Sequence, residues 1–470
     1  MNIKIFDSLK GQLVDFKPIQ KDKVTMYVCG PTIYNYVHVG NARPMIVFDA
    51  FRRFLEYSGY KVVMVQNFTD IDDKLINKAN EDGTTIDVIA NRFINEYYRD
   101  ALKLGVRSAN FHPKTTDYVP QIIEFIKTLI EKGYAYEAKN HDVYFNVRKF
   151  KKYGELSHRK VDDMRAGSRI EVNSDKKDPL DFTLWKTSKK GEPFWDSPWG
   201  KGRPGWHIEC SVMSTELLGD TFDIHAGGND LIFPHHENER AQSLAKTGKE
   251  FANYWMHNGM IKSSGDKMSK SIGNIWLVRE LLENFDADTV KFFILSKHYR
   301  APLEFSEEGL ISQNKSVVRI KETLKKVEEK YDNYVPNINC SKNMKEIIEE
   351  ANKYLSDDFN TPRVIAMIFD LSKELNKAIN DNEEKKILEI YHLIKNNLGP
   401  ILGLFEVPEN SSGGENIVDF LIQEHIQIRN QARENKDFDT ADKIRDDLSK
   451  KGIILKDTPD GTEYSIKNKQ

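Results

Sequence analysis

Val24-Thr25-Met26-Tyr27-Val28-Cys29-Gly30-Pro31 is a β-prone run that stops at a Cys-Gly-Pro break. A second such run, Lys61 to Gln66 (KVVMVQ), follows it, and between the two Met45, Phe48, Phe51, Phe54 and Leu55 recur at helical spacing. Residues 24–66 therefore read as strand, helix, strand. Two strands joined through a helix run parallel, which puts the chain in the α/β class.

Working outward, Thr221 to His225 and Tyr254 to His257 are further strand candidates, so residues 1–132 and 205–305 read as two halves of one parallel-sheet domain. The turn-rich stretch 133–204 interrupts the alternation and reads as an insertion. From about Ser306 long charged helical segments take over (Val317 to Tyr331, Met344 to Leu355, Arg363 to Asn380), which predicts a helical bundle over 306–407. Pro408-Glu409-Asn410-Ser411-Ser412-Gly413-Gly414 lacks apolar anchors and marks a linker, 408–416, before a small domain over 417–470. No internal repeat is visible in the sequence.

A chain of 470 residues exceeds one ordinary core. With 39% hydrophobic and 30% charged residues, a mean hydropathy of -0.58 and no apolar run near the ~20 residues of a membrane span, it is expected to be soluble. The start, MNIKIFDSLKGQLVDF, lacks the apolar core of a signal peptide, and a cytoplasmic location is expected. Three cysteines exclude a disulfide framework. The net charge of -3 does not by itself suggest a nucleic-acid partner.

Two segments carry nucleotide chemistry. A helix starting near Gly40 or Asn41 would point its free N–H groups and the positive end of its dipole at a phosphate. His38 and Asn41 would add donors, and Gly40 would allow close approach of the ligand. Far downstream, Lys267-Met268-Ser269-Lys270-Ser271 places two lysines three apart between Gly265 and Gly273, suited to stabilising charge on a departing pyrophosphate. A Gly-Asn turn and a solvated basic loop are the plain alternatives for the two segments taken alone.

A metal site is also suggested. Pro234 can start a helix on which His235 and Glu239 lie four apart on one face, with His236 and Glu237 pointing elsewhere. Cys29 and Cys210 would complete a two-thiolate, imidazole, carboxylate set for Zn²⁺. Their separation in the chain leaves this pairing open, since each cysteine can equally be a small buried hydrophobe and His235 and Glu239 a surface pair.

His38 to Asn41 and Lys267 to Ser271 resemble the HIGH and KMSKS signatures of class I aminoacyl-tRNA synthetases. Met26 to Thr32, His38 to Arg43, Asn67-Phe68-Thr69-Asp70, Gly205 to Cys210, His225 to Arg240 and Lys267 to Asn274 together resemble, in order, the signatures of the cysteinyl-tRNA synthetase family. The resemblance implies a Rossmann-type catalytic domain, then an α-helical bundle and a small C-terminal anticodon-binding domain. It implies L-cysteine, ATP and tRNA(Cys) as substrates, Mg²⁺ with the ATP, and a zinc ion on Cys29, Cys210, His235 and Glu239 that binds the substrate thiolate.

It implies further that Thr32, His38, Gly40, Asn41, Lys267 and Lys270 meet ATP, with His38, Lys267 and Lys270 catalytic. Thr69, Trp206 and Asp230 would surround the amino acid, and Arg433, Asp442 and Asp457 would read anticodon bases. Asn41 stands where the HIGH pattern has its second histidine. A monomer is expected, and Cys340, in a polar connecting segment, is assigned no function. A ligase joining cysteine to an amino sugar and a non-catalytic zinc-containing RNA-binding homologue are the competing readings. The first should lack a separate C-terminal domain, and the second has no use for both lysines and four ligands.

Overall fold

A computed structural model describes residues 1–162, 175–263, 266–267, 276–406 and, beyond them, 422, 425–426, 429–430, 432–433, 438–450, 452–458 and 461–466. The chain forms two compact units, Met1–Arg107 with His112–Glu406, and Ser108–Phe111 with Val407–Gln470.

The larger unit opens with a hairpin, β1 (Lys4–Asp7) and β2 (Gln12–Asp15), that the sequence pattern does not announce. Then come β3 (Lys23–Val28), α1 (Val39–Tyr57) and β4 (Lys61–Gln66), the strand-helix-strand unit expected from residues 24–66. Helices α2 (Asp73–Glu81), α3 (Ile86–Leu104) and α4 (Val119–Glu131) follow. The expected insertion holds β5 (Ala135–Glu137), β6 (Val143–Phe145), β7 (Phe182–Thr187) and β8 (Gly202–Pro204), a four-stranded antiparallel sheet. It shares one apolar core with α4 and with the two helices that follow, through Ile122, Phe125, Trp185, Ile208 and Ala241.

The chain returns to the first sheet through α5 (Ile208–Leu218), β9 (Phe222–Gly228), α6 (Glu237–Thr247) and β10 (Ala252–Asn258). The sheet order is β10-β9-β3-β4 with every pair parallel. Residues on both faces of β3 and β9 are buried, the polar Asp223 and His225 of β9 included. β3 lies between β4, its neighbour in sequence, and β9, some 200 residues on. A crevice beyond the carboxyl ends of β3 and β9 is the place where such sheets bind ligands.

After β11 (Ile261–Ser263), β12 (Asp266–Lys267), α7 (Val278–Asn284), α8 (Ala287–Leu295) and β13 (Leu303–Phe305), the helices α9 (Glu307–Lys330), α10 (Lys342–Ser356), α11 (Thr361–Asn380) and α12 (Glu384–His392) form the helical region. Ser306 and Ser341 cap α9 and α10 by accepting from Gly309 and Met344 N–H. The smaller unit has α13 (Phe438–Lys450) and a hairpin of β14 (Ile453–Thr458) and β15 (Gly461–Ile466). The expected linker 408–416 lies outside the described residues.

Two buried polar joints hold the larger unit around α1. Arg43, fully buried, donates to the carbonyls of Gly259 (2.7 Å), Met260 (3.1 Å), His298 (3.3 Å), Tyr299 (3.1 Å) and Ala301 (2.6 Å). Burial pulls it down to about 10, still a cation at neutral pH. The turn between α10 and α11 supplies the other joint. Asp358 accepts from Phe6 N–H (2.9 Å), Tyr299 hydroxyl (2.8 Å) and Arg300 Nε (2.6 Å), while Phe359 packs edge-on to Phe51 of α1. Both turn residues sit in the left-handed region (φ 56° and 49°), a cost of about 1–3 kcal/mol each that these contacts must offset.

Arg43→Met is expected to leave several buried carbonyls without a donor and to destabilise the larger unit by about 2–4 kcal/mol. The midpoint of a urea titration followed by tryptophan fluorescence checks this. An unchanged midpoint would contradict it.

Candidate active site and metal centre

Cys29 leaves the end of β3, and the next residue explains how it gets there. A Cβ on Gly30 would stand 1.8 Å from the Asn67 carbonyl oxygen, so only glycine lets β3 and β4 finish side by side. The Gly30 N–H is taken by Asn67 Oδ1 at 2.9 Å. Cys210 sits in the first turn of α5 and Glu239 in the first turn of α6. Donor atoms of Cys29, Cys210, His235 and Glu239, all buried, lie within 4.8 Å of one another.

The arrangement is crowded with potential negative charge. Cys29 Sγ is 3.9 Å from Cys210 Sγ and 3.5 Å from Glu239 Oε1, and His235 Nε2 is 2.9 Å from Glu239 Oε1. A hydrogen bond from Cys29 holds the Cys210 thiol down at about 6 despite burial. Burial, with Cys210 and Glu239 beside it, pushes Cys29 well up. Burial would lower His235, but Glu239 and Cys210 outweigh it and raise the imidazole to about 10. Glu239 is held well below its usual range because His225 and His235 outweigh the burial that would raise it. Two thiols and a carboxylate gathered out of water, with one imidazolium as counter-charge, suit a divalent cation with soft-ligand affinity, and the donor set fits Zn²⁺.

The 232–239 stretch departs from the expected regular helix in two respects. α6 begins at Glu237 and not at Pro234, because Phe233 has extended angles (φ -137°, ψ 130°) inside an irregular turn over Ile232–His236. In consequence His236 does not point elsewhere: its Nε2 is 3.2 Å from Cys29 Sγ, and its Nδ1 pairs with His257 Nε2 at 2.8 Å. His225, on β9, reaches Glu239 Oε2 at 2.9 Å. Cys29, His225, His236 and Glu239 thereby form a second donor group sharing two members with the first. Glu237 turns to Ser157, accepting from its N–H and hydroxyl. A histidine inside an apolar strand, as His225 is, was the sequence signal for this deeper layer.

Around the centre, Thr69 Oγ1 donates to the buried Glu209 at 3.2 Å, and Thr32 bridges to Thr69 in parallel register. Trp206 is 45% exposed with its ring 4.7 Å from that of His235, so it stands over this donor group at the solvent side. Asp230 lies exposed in the short turn Asn229–Leu231 just past β9. His38 is the N-cap of α1, its Nδ1 accepting from Asn41 N–H at 3.3 Å. A Cβ on Gly40 would come within 2.8 Å of the His38 ring, so Gly40 makes room for that ring. Val39 N–H donates to Trp276 O and Val278 N–H to Val37 O, both at 2.9 Å, stitching the start of α1 to the segment just after the lysine pair. Lys267 is the last residue of β12, paired with Lys262, while Lys270 lies outside the described residues.

In the smaller unit Asp457 is engaged by Arg429 (2.7 and 2.8 Å) and Arg433 (2.8 Å), which holds its carboxyl well below the usual range. Asp442 pairs with Arg445 at 3.1 Å. Nothing local in the sequence marks Arg429, whose partner lies 28 residues on.

Residues 15–316 match the family model for the tRNA synthetases class I (C) catalytic domain, and residues 350–406 match the DALR domain. A cysteine–tRNA ligase of Petrotoga mobilis is 58% identical over 463 residues, 98% of this chain and 99% of the relative. One of Thermotoga maritima is 54% identical over 464 residues, 99% and 100% of the two chains. The chain belongs to the cysteine–tRNA ligase family. The family's fold is seen again at low identity in the structure of Mycobacterium tuberculosis methionyl-tRNA synthetase with methionyl-adenylate (TM-score 0.58, 16% identity, covering 85% of this chain and 93% of that one). It is seen also in a LeuRS–tRNA–LeuAMS ternary complex from Agrobacterium radiobacter (TM-score 0.60, 12% identity, 86% and 87%). Among the described residues no helix is long and apolar enough to cross a membrane.

The pocket's protonation makes metal affinity depend on pH. Near pH 7 His235 and Cys29 hold protons and Cys210 does not, whereas metal ligation needs all three as free bases. Loading is therefore expected to release roughly two protons per ion at pH 7, with apparent affinity rising as pH rises and falling more steeply below about 6, where Cys210 protonates. Chelator competition at a series of pH values, with proton release read by an indicator, checks both slopes. A pH-independent affinity would contradict this account.

Proposed function

We propose that the chain activates L-cysteine with ATP to cysteinyl-adenylate and transfers the cysteinyl group to the 3′ end of tRNA(Cys). The observation that carries the reading is the convergence of Cys29, Cys210, His235 and Glu239 in one buried group at the carboxyl end of the strand from which the chain runs on to His38. Membership of the cysteine–tRNA ligase family over nearly the whole chain supports it.

Zn²⁺ held by those four residues would supply a soft acceptor for the substrate thiolate, an interaction that a serine hydroxyl cannot match. A pocket relying on shape alone separates such near-isosteres only about 10- to 200-fold. Trp206, over His235, would wall the amino acid in. Thr69, oriented by Glu209, would contact its backbone, and Asp230 would take its ammonium group.

The cysteine carboxylate oxygen attacks the α-phosphorus of ATP, the bond to the bridging oxygen breaks, and pyrophosphate leaves. In the second step a terminal ribose hydroxyl of the tRNA attacks the acyl carbon and AMP departs. Neither step needs a protein nucleophile. His38 and the amino end of α1, with Thr32, Gly40 and Asn41, would orient the phosphates. Lys267 and Lys270 would stabilise charge developing on the pyrophosphate, with Mg²⁺ accompanying ATP.

In the same reading, residues 1–132 and 205–305 are the catalytic domain, 133–204 its insertion, 306–407 the helical bundle and 408–416 a linker. Residues 417–470 bind the anticodon, with Arg433, Asp442 and Asp457 as base readers and Arg429 orienting Asp457. The enzyme acts as a cytoplasmic monomer.

The test is amino-acid-dependent exchange of labelled pyrophosphate into ATP on protein of known zinc content. Exchange with cysteine and not with serine is expected, and its absence in folded, zinc-loaded protein would overturn the function. Lys270→Ala is expected to slow exchange by about 10²- to 10³-fold with zinc content and cysteine binding unchanged. Normal activation by that variant would remove Lys270 from the mechanism.

A further inference from the structure

The residue just past the ladder that secures His38 makes a set of contacts for which the adenylation reading has no assigned role. Arg279 lies in the first turn of α7, the end of a helix where the dipole disfavours a cation. Its guanidinium nevertheless stays there, 3.7 Å from the centroid of the Tyr36 ring. It also donates to Glu96 (2.7 Å) and to both oxygens of Asp100 (3.1 and 3.2 Å), a carboxylate 1% exposed.

Tyr36 is held from the same helix: Phe93 meets its ring edge-on at 5.3 Å, and Arg92 reaches its hydroxyl at 3.4 Å. Phe93, Glu96 and Asp100 lie three and four apart, so a single face of α3 grips both Tyr36 and Arg279. Between those two residues run the strands that matter. Val37 to Val39 and Trp276 to Val278 exchange two backbone hydrogen bonds of 2.9 Å, with His38 opposite Leu277. A ladder that short has little stability of its own. Tyr36 immediately precedes one strand and Arg279 immediately follows the other, so the stack closes the ladder at one end and α3 backs it.

We propose that Arg279 is a positioning residue for adenylate formation: by clasping Tyr36 against α3 it keeps the 37–39 and 276–278 strands paired, and so keeps His38 and the amino end of α1 aimed at the ATP phosphates. The proposal rests on the adenylation reading above. In this reading Arg279 acts on the nucleotide through His38. Displacing a phosphate-binding group by as little as 1 Å can cost about 10²-fold in rate.

The test compares Arg279→Met, Arg279→Lys, Tyr36→Leu and Tyr36→Phe in the full-length, zinc-loaded protein, with ATP affinity measured by titration calorimetry and turnover by cysteine-dependent pyrophosphate exchange. Arg279→Met and Tyr36→Leu are each expected to weaken kcat/KM for ATP by about 10- to 100-fold and to weaken ATP binding, with KM for cysteine and zinc content unchanged. Arg279→Lys, which keeps the charge facing Glu96 and Asp100, is expected to restore the greater part of the loss, and Tyr36→Phe nearly all of it. The double variant Arg279→Met with Tyr36→Leu should lose no more than the worse single variant.

Wild-type ATP parameters in Arg279→Met, whatever its melting temperature, would reduce the residue to a structural tie and overturn the proposal, as would multiplicative losses in the double variant. Should Arg279→Met not fold, Tyr36→Leu and Arg279→Lys give the same decision. Absence of cysteine-dependent exchange in the unmodified protein would instead refute the adenylation reading, and ATP affinity would still decide whether the clasp holds the nucleotide site.

Discussion

Four donor atoms from segments as far as 210 residues apart must meet at one buried point, and the rest of the catalytic unit is arranged so that they do. Gathering two thiols, a carboxylate and an imidazole out of water is unfavourable unless a cation joins them or protons are held among them. The protonation pattern shows that tension directly: Cys210 is driven down while His235 is driven up to act as the counter-charge. Such a pocket is tolerable only on a rigid support. Here the support is a parallel sheet covered on both faces, with Cys29 at the end of one strand and Cys210 and Glu239 in the first turns of α5 and α6, which share a core with the insertion.

The start of α1 is held by different means. Arg43 on α1 collects five carbonyls from segments 259–260 and 298–301, and Asp358 locks the 298–301 segment to the turn that begins α11. Phe359 then packs on α1 itself. The helix that presents His38 is thus fixed along its length by the helical region and at its start by the ladder to Trp276 and Val278. In the proposed reaction, which needs no protein nucleophile, catalysis by orientation would depend on that kind of fixture.

Patterns that are local in the chain translated into structure with little loss. The strand, helix and strand of residues 24–66, the helices after Ser306 and the strands at 221 and 254 each carry their own periodicity. Strands of three residues, such as Ala135–Glu137 and Val143–Phe145, are too short to show one, so the insertion looked like turns although it contains a four-stranded sheet. His235 and Glu239, four apart, do meet, but His236 lies where a regular helix from Pro234 would not put it, because Phe233 is extended. Likewise Asp457 and its forked partner Arg429 lie 28 residues apart, so no local pattern announces the pair.

What the sequence determined by itself was therefore the α/β class and, through the order of its signature segments, the family. Only the tertiary structure decided that Cys29 and Cys210, 181 residues apart, share one site, that His225 and His236 back them, and that Arg279 reaches Tyr36. The reason is physical. Backbone periodicity is imposed by nearest neighbours along the chain, whereas these meetings are set by sheet order and helix packing, which bring distant segments together at distances that no spacing in the sequence encodes.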